Sequence, residues 1–158
     1  MGKIGQTRKG SAFMIVVVDA SVALKWQFED EEVTDKAMAL LEDFIEGKIN
    51  LITPTLFQYE VISAVNVAIN RKRIEQRTGY QAIIYINSVG IVIRGFDDLI
   101  ESTFYLARQF IISPYDSSYL ALAEKEKCDF YTGDKKLFKG VKGHLPWAKW
   151  IGEYQKAE

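Results

Sequence analysis

Two carboxylates stand out in the stretch SPYDSSYLALAEKEKCDFYTGDKKL, residues 113–137: Asp116 at the start of a helical pattern, and Asp134 just past the short strand expected after it. A helix that leads into a strand can return both acids to one end of a fold. Paired oxygen ligands of this kind suit a hard divalent cation. Each acid also has a plainer reading, because Asp at a helix start is a common N-cap and Asp in a T-G-D sequence is a common turn residue.

The rest of the chain supplies two further acids. Asp19 closes the run Met14 to Val18, a continuous apolar and largely β-branched segment that predicts a strand buried on both faces of a parallel sheet. Open α/β sheets keep their ligand crevice at the carboxyl ends of such strands, although Asp19 could equally cap the helix that follows. Glu60 is placed by periodicity: at about 100° per residue it falls among Leu56, Phe57, Ala64 and Val67, on the apolar arc of a helix. An ionised Glu there needs a buried cationic partner, a hydrogen-bond network or a metal.

Taken together, four acids at strand ends and on a core-facing stripe repel one another, and they stay ionised only around a compensating positive charge. The chain has one histidine, His144, and one cysteine, Cys128, so neither a Cys/His zinc cluster nor an intrachain disulfide is available. An all-oxygen set points to Mg2+ or Mn2+.

Several elements have to carry these acids. The pattern predicts a strand over 14–18, a helix over 20–26, a second helix over about 31–46 opened by Glu29 to Glu32, and a strand over 49–52. A long helix with Pro54 in its first turn then runs to about Arg73, another helix covers 75–88, and a strand follows Gly90. Asp97 or Asp98 is expected to cap a helix reaching Phe110. A helix over 116–127, a strand over 129–132, a helical turn from Asp134 and a strand near 148–151 complete an α/β domain with a mostly parallel sheet.

Composition agrees with one globular domain. The chain has 158 residues, 48% of them hydrophobic and 26% charged, and a formal net charge of −1, so no basic excess advertises nucleic acid. Residues 1–13 are Gly-rich and basic and are expected to be a leader or tag outside the domain at 14–158. No signal peptide or membrane span is evident, and a cytoplasmic location is expected.

These residues carry a family resemblance. VVVDAS at 16–21, FQYEVISAV at 57–65, YDSSYLALAE at 115–124 and YTGDKKL at 131–137 are together similar to PIN-domain ribonucleases, above all to VapC-type toxins of toxin–antitoxin pairs. The resemblance implies a three-layer fold with four to five strands. It also implies that Asp19, Glu60, Asp116 and Asp134 form one metal-binding catalytic quartet, supported by Ser21 and Thr132. Asp19, Asp116 and Asp134 are the expected principal ligands, with Glu60 holding a second ion or orienting a water. The expected reaction is Mg2+- or Mn2+-dependent cleavage of RNA; the expected partners are a cognate antitoxin and a second copy of the chain.

Outside the acids, Lys135, Lys136 and Lys139 are candidates to grip substrate phosphates, and a solvated face would explain them equally well. Trp26, Trp147 and Trp150 are expected in the core or an interface, and Cys128 as a small buried side chain. A P-loop nucleotide-binding site is excluded by the absence of its G-x-x-x-x-G-K-[ST] sequence. The non-enzymatic alternative is a PIN-like scaffold that binds RNA or protein without cutting.

Overall fold

The computed structural model describes residues 14–158; the leader expected at 1–13 lies outside the described residues. Five strands form one sheet: β1 (Met14–Val18), β2 (Ile49–Pro54), β3 (Val92–Arg94), β4 (Asp129–Thr132) and β5 (Ala148–Trp150). Their order is β3-β2-β1-β4-β5, and every neighbouring pair is parallel. The intervening helices are α1 (Ala20–Leu24), α2 (Thr34–Ile45), α3 (Phe57–Asn70), α4 (Gln76–Ser88), α5 (Ile100–Phe110), α6 (Pro114–Glu126) and α7 (Lys135–Val141). Together they make the expected three-layer α/β domain.

Sheet order explains where a site can form. From β1 the chain moves outward to β2 and β3, then crosses back to place β4 on the other side of β1. The carboxyl ends of β1 and β4 therefore flank the point where the winding reverses, which is where open α/β sheets have a crevice. Val16, Val17 and Val18 are essentially inaccessible, as a central strand covered on both faces requires.

Helix α6 is held more tightly than its sequence suggests. Every residue from Ser117 to Ala123 is buried, because this helix packs on β1, β2 and β4 while α5 lies against it. A helix enclosed on all sides shows no amphipathic stripe. Its Ala- and Leu-rich composition therefore reflects enclosure, and its residues have little freedom to shift.

Three expected boundaries are corrected. Pro54 ends β2, in register with Arg94, and α3 starts only at Phe57. The missing N–H is tolerated at a strand end as well as in a first helical turn. Helix α2 begins at Thr34, and the acids before it are engaged elsewhere: Arg73 pairs with Asp30 and Glu31, Lys25 with Glu31, and Lys135 with Glu32. Helix α6 begins at Pro114, where Ser113 caps it by accepting from the Asp116 N–H at 3.0 Å.

Candidate active site

Each of the four acids reaches the crevice from a different element. Asp19 follows β1 directly, Glu60 lies in the first turn of α3, Asp116 in the first turn of α6, and Asp134 just after β4. They descend from rim to floor: Asp134 is exposed, Glu60 and Asp116 are half-buried, and Asp19 is buried. Since Ser113 takes the cap of α6, the Asp116 carboxylate is left for other work.

Asp19 is the most constrained of the four. Its Oδ1 accepts from Ser21 Oγ at 2.5 Å and from the Val22 N–H at 3.3 Å, and its Oδ2 accepts from Thr132 Oγ1 at 2.6 Å. Both hydroxyls also reach the turn after β4, where Ser21 Oγ accepts from the Gly133 N–H at 2.7 Å and Thr132 Oγ1 from the Asp134 N–H at 3.0 Å. The T-G-D sequence suits this closeness. A Cβ at Gly133 would lie 2.6 Å from Lys25 Cε and 3.0 Å from Ser21 Oγ, so no larger residue fits without displacing them. Asp134 in turn caps α7, accepting from the N–H groups of Lys136 and Leu137. Asp19 and Asp134 are thus caps as well as crevice residues, as the plain reading of each has it.

Burial and mutual repulsion raise Asp19, Glu60 and Asp116. Burial pushes Asp19 up to about 6, against the pull of its three hydrogen bonds and with a further push from Asp116. Glu60 is raised by burial and then by the charges of Asp19 and Asp116, opposed by a hydrogen bond from Tyr119. Asp116 is raised by burial and by Asp134. Asp116 thus lies within electrostatic reach of Asp19, Glu60 and Asp134, and Glu60 within reach of Asp19. Among the described residues none of them is ion-paired, although Lys25, Arg73 and Lys135 all find acidic partners elsewhere.

A convergent acidic set without a protein cation has donors of the right type for a hard divalent ion. It is not a closed shell: among the described residues, no three Asp, Glu, His or Cys side chains are arranged to hold an ion as they stand. Three of the four acids are instead held by hydrogen bonds: Asp19 to Ser21 and Thr132, Glu60 to Tyr119, and Asp134 to α7.

The expected phosphate grip divides in two. Lys135 pairs with Glu32 at 3.2 Å and lies over the Trp150 ring at 5.1 Å, whereas Lys136 and Lys139 are exposed on α7. Trp26 is buried and donates to the Ala37 carbonyl, while Trp147, Trp150 and Cys128 are only partly buried.

Tyr119 is not among the residues that the sequence singles out, yet its hydroxyl donates to Glu60 Oε1 at 2.6 Å. The available signal is its position one helical turn beyond Asp116, on the same face of α6. Separately, an apolar groove of about 660 Å3 runs along α5 and is lined by Phe96, Ile100, Phe104, Ile111 and Pro114, with none of the four acids in its wall.

A parallel sheet with carboxylates at its switch point defines an α/β protein with an acidic crevice. The PIN-domain family model matches residues 16–143, and the chain belongs to the PIN-domain family, a family of nucleases. No curated protein sequence matches it.

Among solved structures, PAE2754 from Pyrobaculum aerophilum superposes with a TM-score of 0.64 at 21% identity, covering 89% of this chain and 92% of that one. The sarcin–ricin-loop-cleaving toxin VapC20 of Mycobacterium tuberculosis gives 0.58 at 16% identity, covering 80% and 95%. A toxin–antitoxin complex from Klebsiella pneumoniae gives 0.55 at 19% identity, covering 90% and 99%. At such identities the likeness is one of fold.

Proposed function

We propose that this chain is a metal-dependent endoribonuclease and the toxin of a VapBC-type toxin–antitoxin pair. The observation that carries the reading is the convergence of Asp19, Glu60, Asp116 and Asp134 at the β1/β4 switch point, three of them raised in pKa and none ion-paired among the described residues. Asp19, Asp116 and Asp134 are the proposed principal ligands of Mg2+ or Mn2+, and Glu60 the proposed holder of a second ion or of a water. Such an ion, when bound, lowers the pKa of water and stabilises charge on the reacting phosphate.

The chain's own residues do the rest. Ser21 and Thr132 hold the Asp19 carboxylate in one orientation, so it would meet an ion without losing rotamer freedom on binding. Lys136 and Lys139, exposed beside Asp134, are the proposed phosphate-binding side chains. Lys135 would have to exchange Glu32 for a phosphate, a modest cost for an exposed pair.

RNA as substrate is supported by VapC20, a toxin that cleaves the sarcin–ricin loop. An antitoxin partner is supported by the Klebsiella complex and by VapBC2 of Rickettsia felis bound to promoter DNA, which gives a TM-score of 0.59 at 14% identity. A homodimer is proposed on the exposed apolar residues of α4 and α5, among them Tyr80, Ile84, Phe104 and Tyr105. No described helix is long and apolar enough to cross a membrane, and a cytoplasmic location is proposed.

The open arrangement of the acids favours one competing reading, a PIN-like scaffold that binds RNA or protein without cutting. Incubating the protein with single-stranded and structured RNAs, with Mg2+, Mn2+ or EDTA, separates the two. Cleavage that needs the ion and is lost in Asp116→Asn supports the nuclease; binding without cleavage in every condition supports the scaffold.

A further inference from the structure

We propose that Tyr119 is a positioning residue for Glu60, its hydroxyl holding the Glu60 carboxylate in one orientation toward the crevice. The inference rests on the proposed metal site and deepens it, because it specifies how the fourth acid takes part.

The hydroxyl of Tyr119 donates to Glu60 Oε1 at 2.6 Å, and among the described residues this is the one protein hydrogen bond to that carboxylate. Tyr119 itself is fixed. It is 1% exposed, lies within the fully buried part of α6, and stacks on Phe130 with ring centroids 5.6 Å apart and planes 13° from parallel. Phe130 belongs to β4, the strand that also delivers Thr132. One rigid assembly therefore carries both Tyr119 and the hydroxyl that orients Asp19.

Glu60 needs such a tether. It sits in the first turn of α3, a helix without a side-chain N-cap, and it is half-buried on a flexible stem. The Tyr119 bond selects one arrangement of that stem. Ser21 and Thr132 treat Asp19 differently: they brace both of its oxygens, and Glu60 is braced on one only.

The test is Mn2+ binding to the full chain, read from the free-Mn2+ electron paramagnetic resonance signal, with cleavage kinetics alongside. Tyr119→Phe keeps the ring and its stacking on Phe130 and removes only the hydroxyl. It is expected to weaken Mn2+ binding about tenfold and to lower kcat with RNA KM unchanged, consistent with losing one hydrogen bond to a charged group. In a Glu60→Gln background the same change should add nothing. Wild-type Mn2+ affinity in Tyr119→Phe, or losses that multiply in the double variant, overturns the proposal.

Where Tyr119→Phe does not fold, Glu60→Asp withdraws the carboxylate from the hydroxyl and should weaken Mn2+ binding similarly; unchanged binding there also overturns it. Asp116→Asn is the separate control on the site. If that variant binds Mn2+ as the wild type does, the metal-site reading itself is wrong, and the role of Tyr119 falls with it.

Discussion

Thr132 Oγ1 donates to Asp19 Oδ2 at 2.6 Å, a hydrogen bond between residues 113 positions apart that fastens the end of β4 to the end of β1. Because Thr132 Oγ1 also accepts from the Asp134 N–H, one hydroxyl fixes two of the crevice acids. Thr132→Val keeps the shape and removes both interactions. It should cost about 2 kcal/mol in urea unfolding, since a buried carboxylate loses a donor and a backbone N–H its acceptor. A loss below a few tenths of a kcal/mol would mean that the two strand ends are held by other means.

Metal should stabilise the fold through the acids. With ion at a hundred times its Kd, a site present only in the folded chain adds about 2.7 kcal/mol. Thermal unfolding is expected to shift upward with Mn2+ in the wild type and to stay fixed in Asp19→Asn and Asp116→Asn, with EDTA reversing the wild-type shift. Equal shifts in all three proteins would place the ion elsewhere.

The lysines of α7 should act unequally on RNA. Lys136 and Lys139 are exposed, so replacing either with Ala should lower the salt slope of RNA binding by about 1 for each phosphate that is no longer neutralised. Lys135→Ala should change the slope less, because Lys135 is already paired with Glu32 and lies over Trp150. Fluorescence anisotropy across a salt series measures this; a larger effect from Lys135 would reverse the ranking.

Asp43 gives a pH signature far from the crevice. Burial alone would raise this fully buried carboxyl, but hydrogen bonds from the Tyr154 hydroxyl at 2.6 Å and the Ala157 N–H at 2.8 Å, with the charges of Lys48 and Lys156, hold it below its ordinary 3.8. A lowered acid contributes stability above its unfolded pKa and loses that contribution as the pH falls through its folded value. Asp43→Asn should therefore melt lower than the wild type at pH 7, and the gap should narrow below about pH 4. A gap that is constant down to about pH 2 would rule out Asp43 ionisation as its source.

Much of this architecture can be read before the structure is known, for identifiable reasons. Val16 to Val18 are apolar because both faces of β1 are covered there, and such a run has few other readings. The convergence of the acids follows from strands ending at one edge of a parallel sheet. What stays hidden depends on partners distant in sequence. The acids before α2 look like a helix start until Arg73, Lys25 and Lys135 arrive from three other elements. Asp116 and Ser113 are both good caps, and only the folded chain shows that Ser113 takes that role. Tyr119 resembles any aromatic in an enclosed helix, since nothing in α6 indicates that Glu60 lies opposite.

The placement of β4 beside β1 also sets a timetable. During synthesis β1, β2 and β3 can pair early, but the open side of β1 stays uncovered until residues 129–132 have left the ribosome. Until then Val16 to Val18 form an exposed edge with a hazard of pairing to another chain, and Asp19 lacks Thr132. The crevice is thus among the last parts of the molecule to be completed, and a truncated product ending before β4 would carry Asp19, Glu60 and Asp116 without a site to put them in.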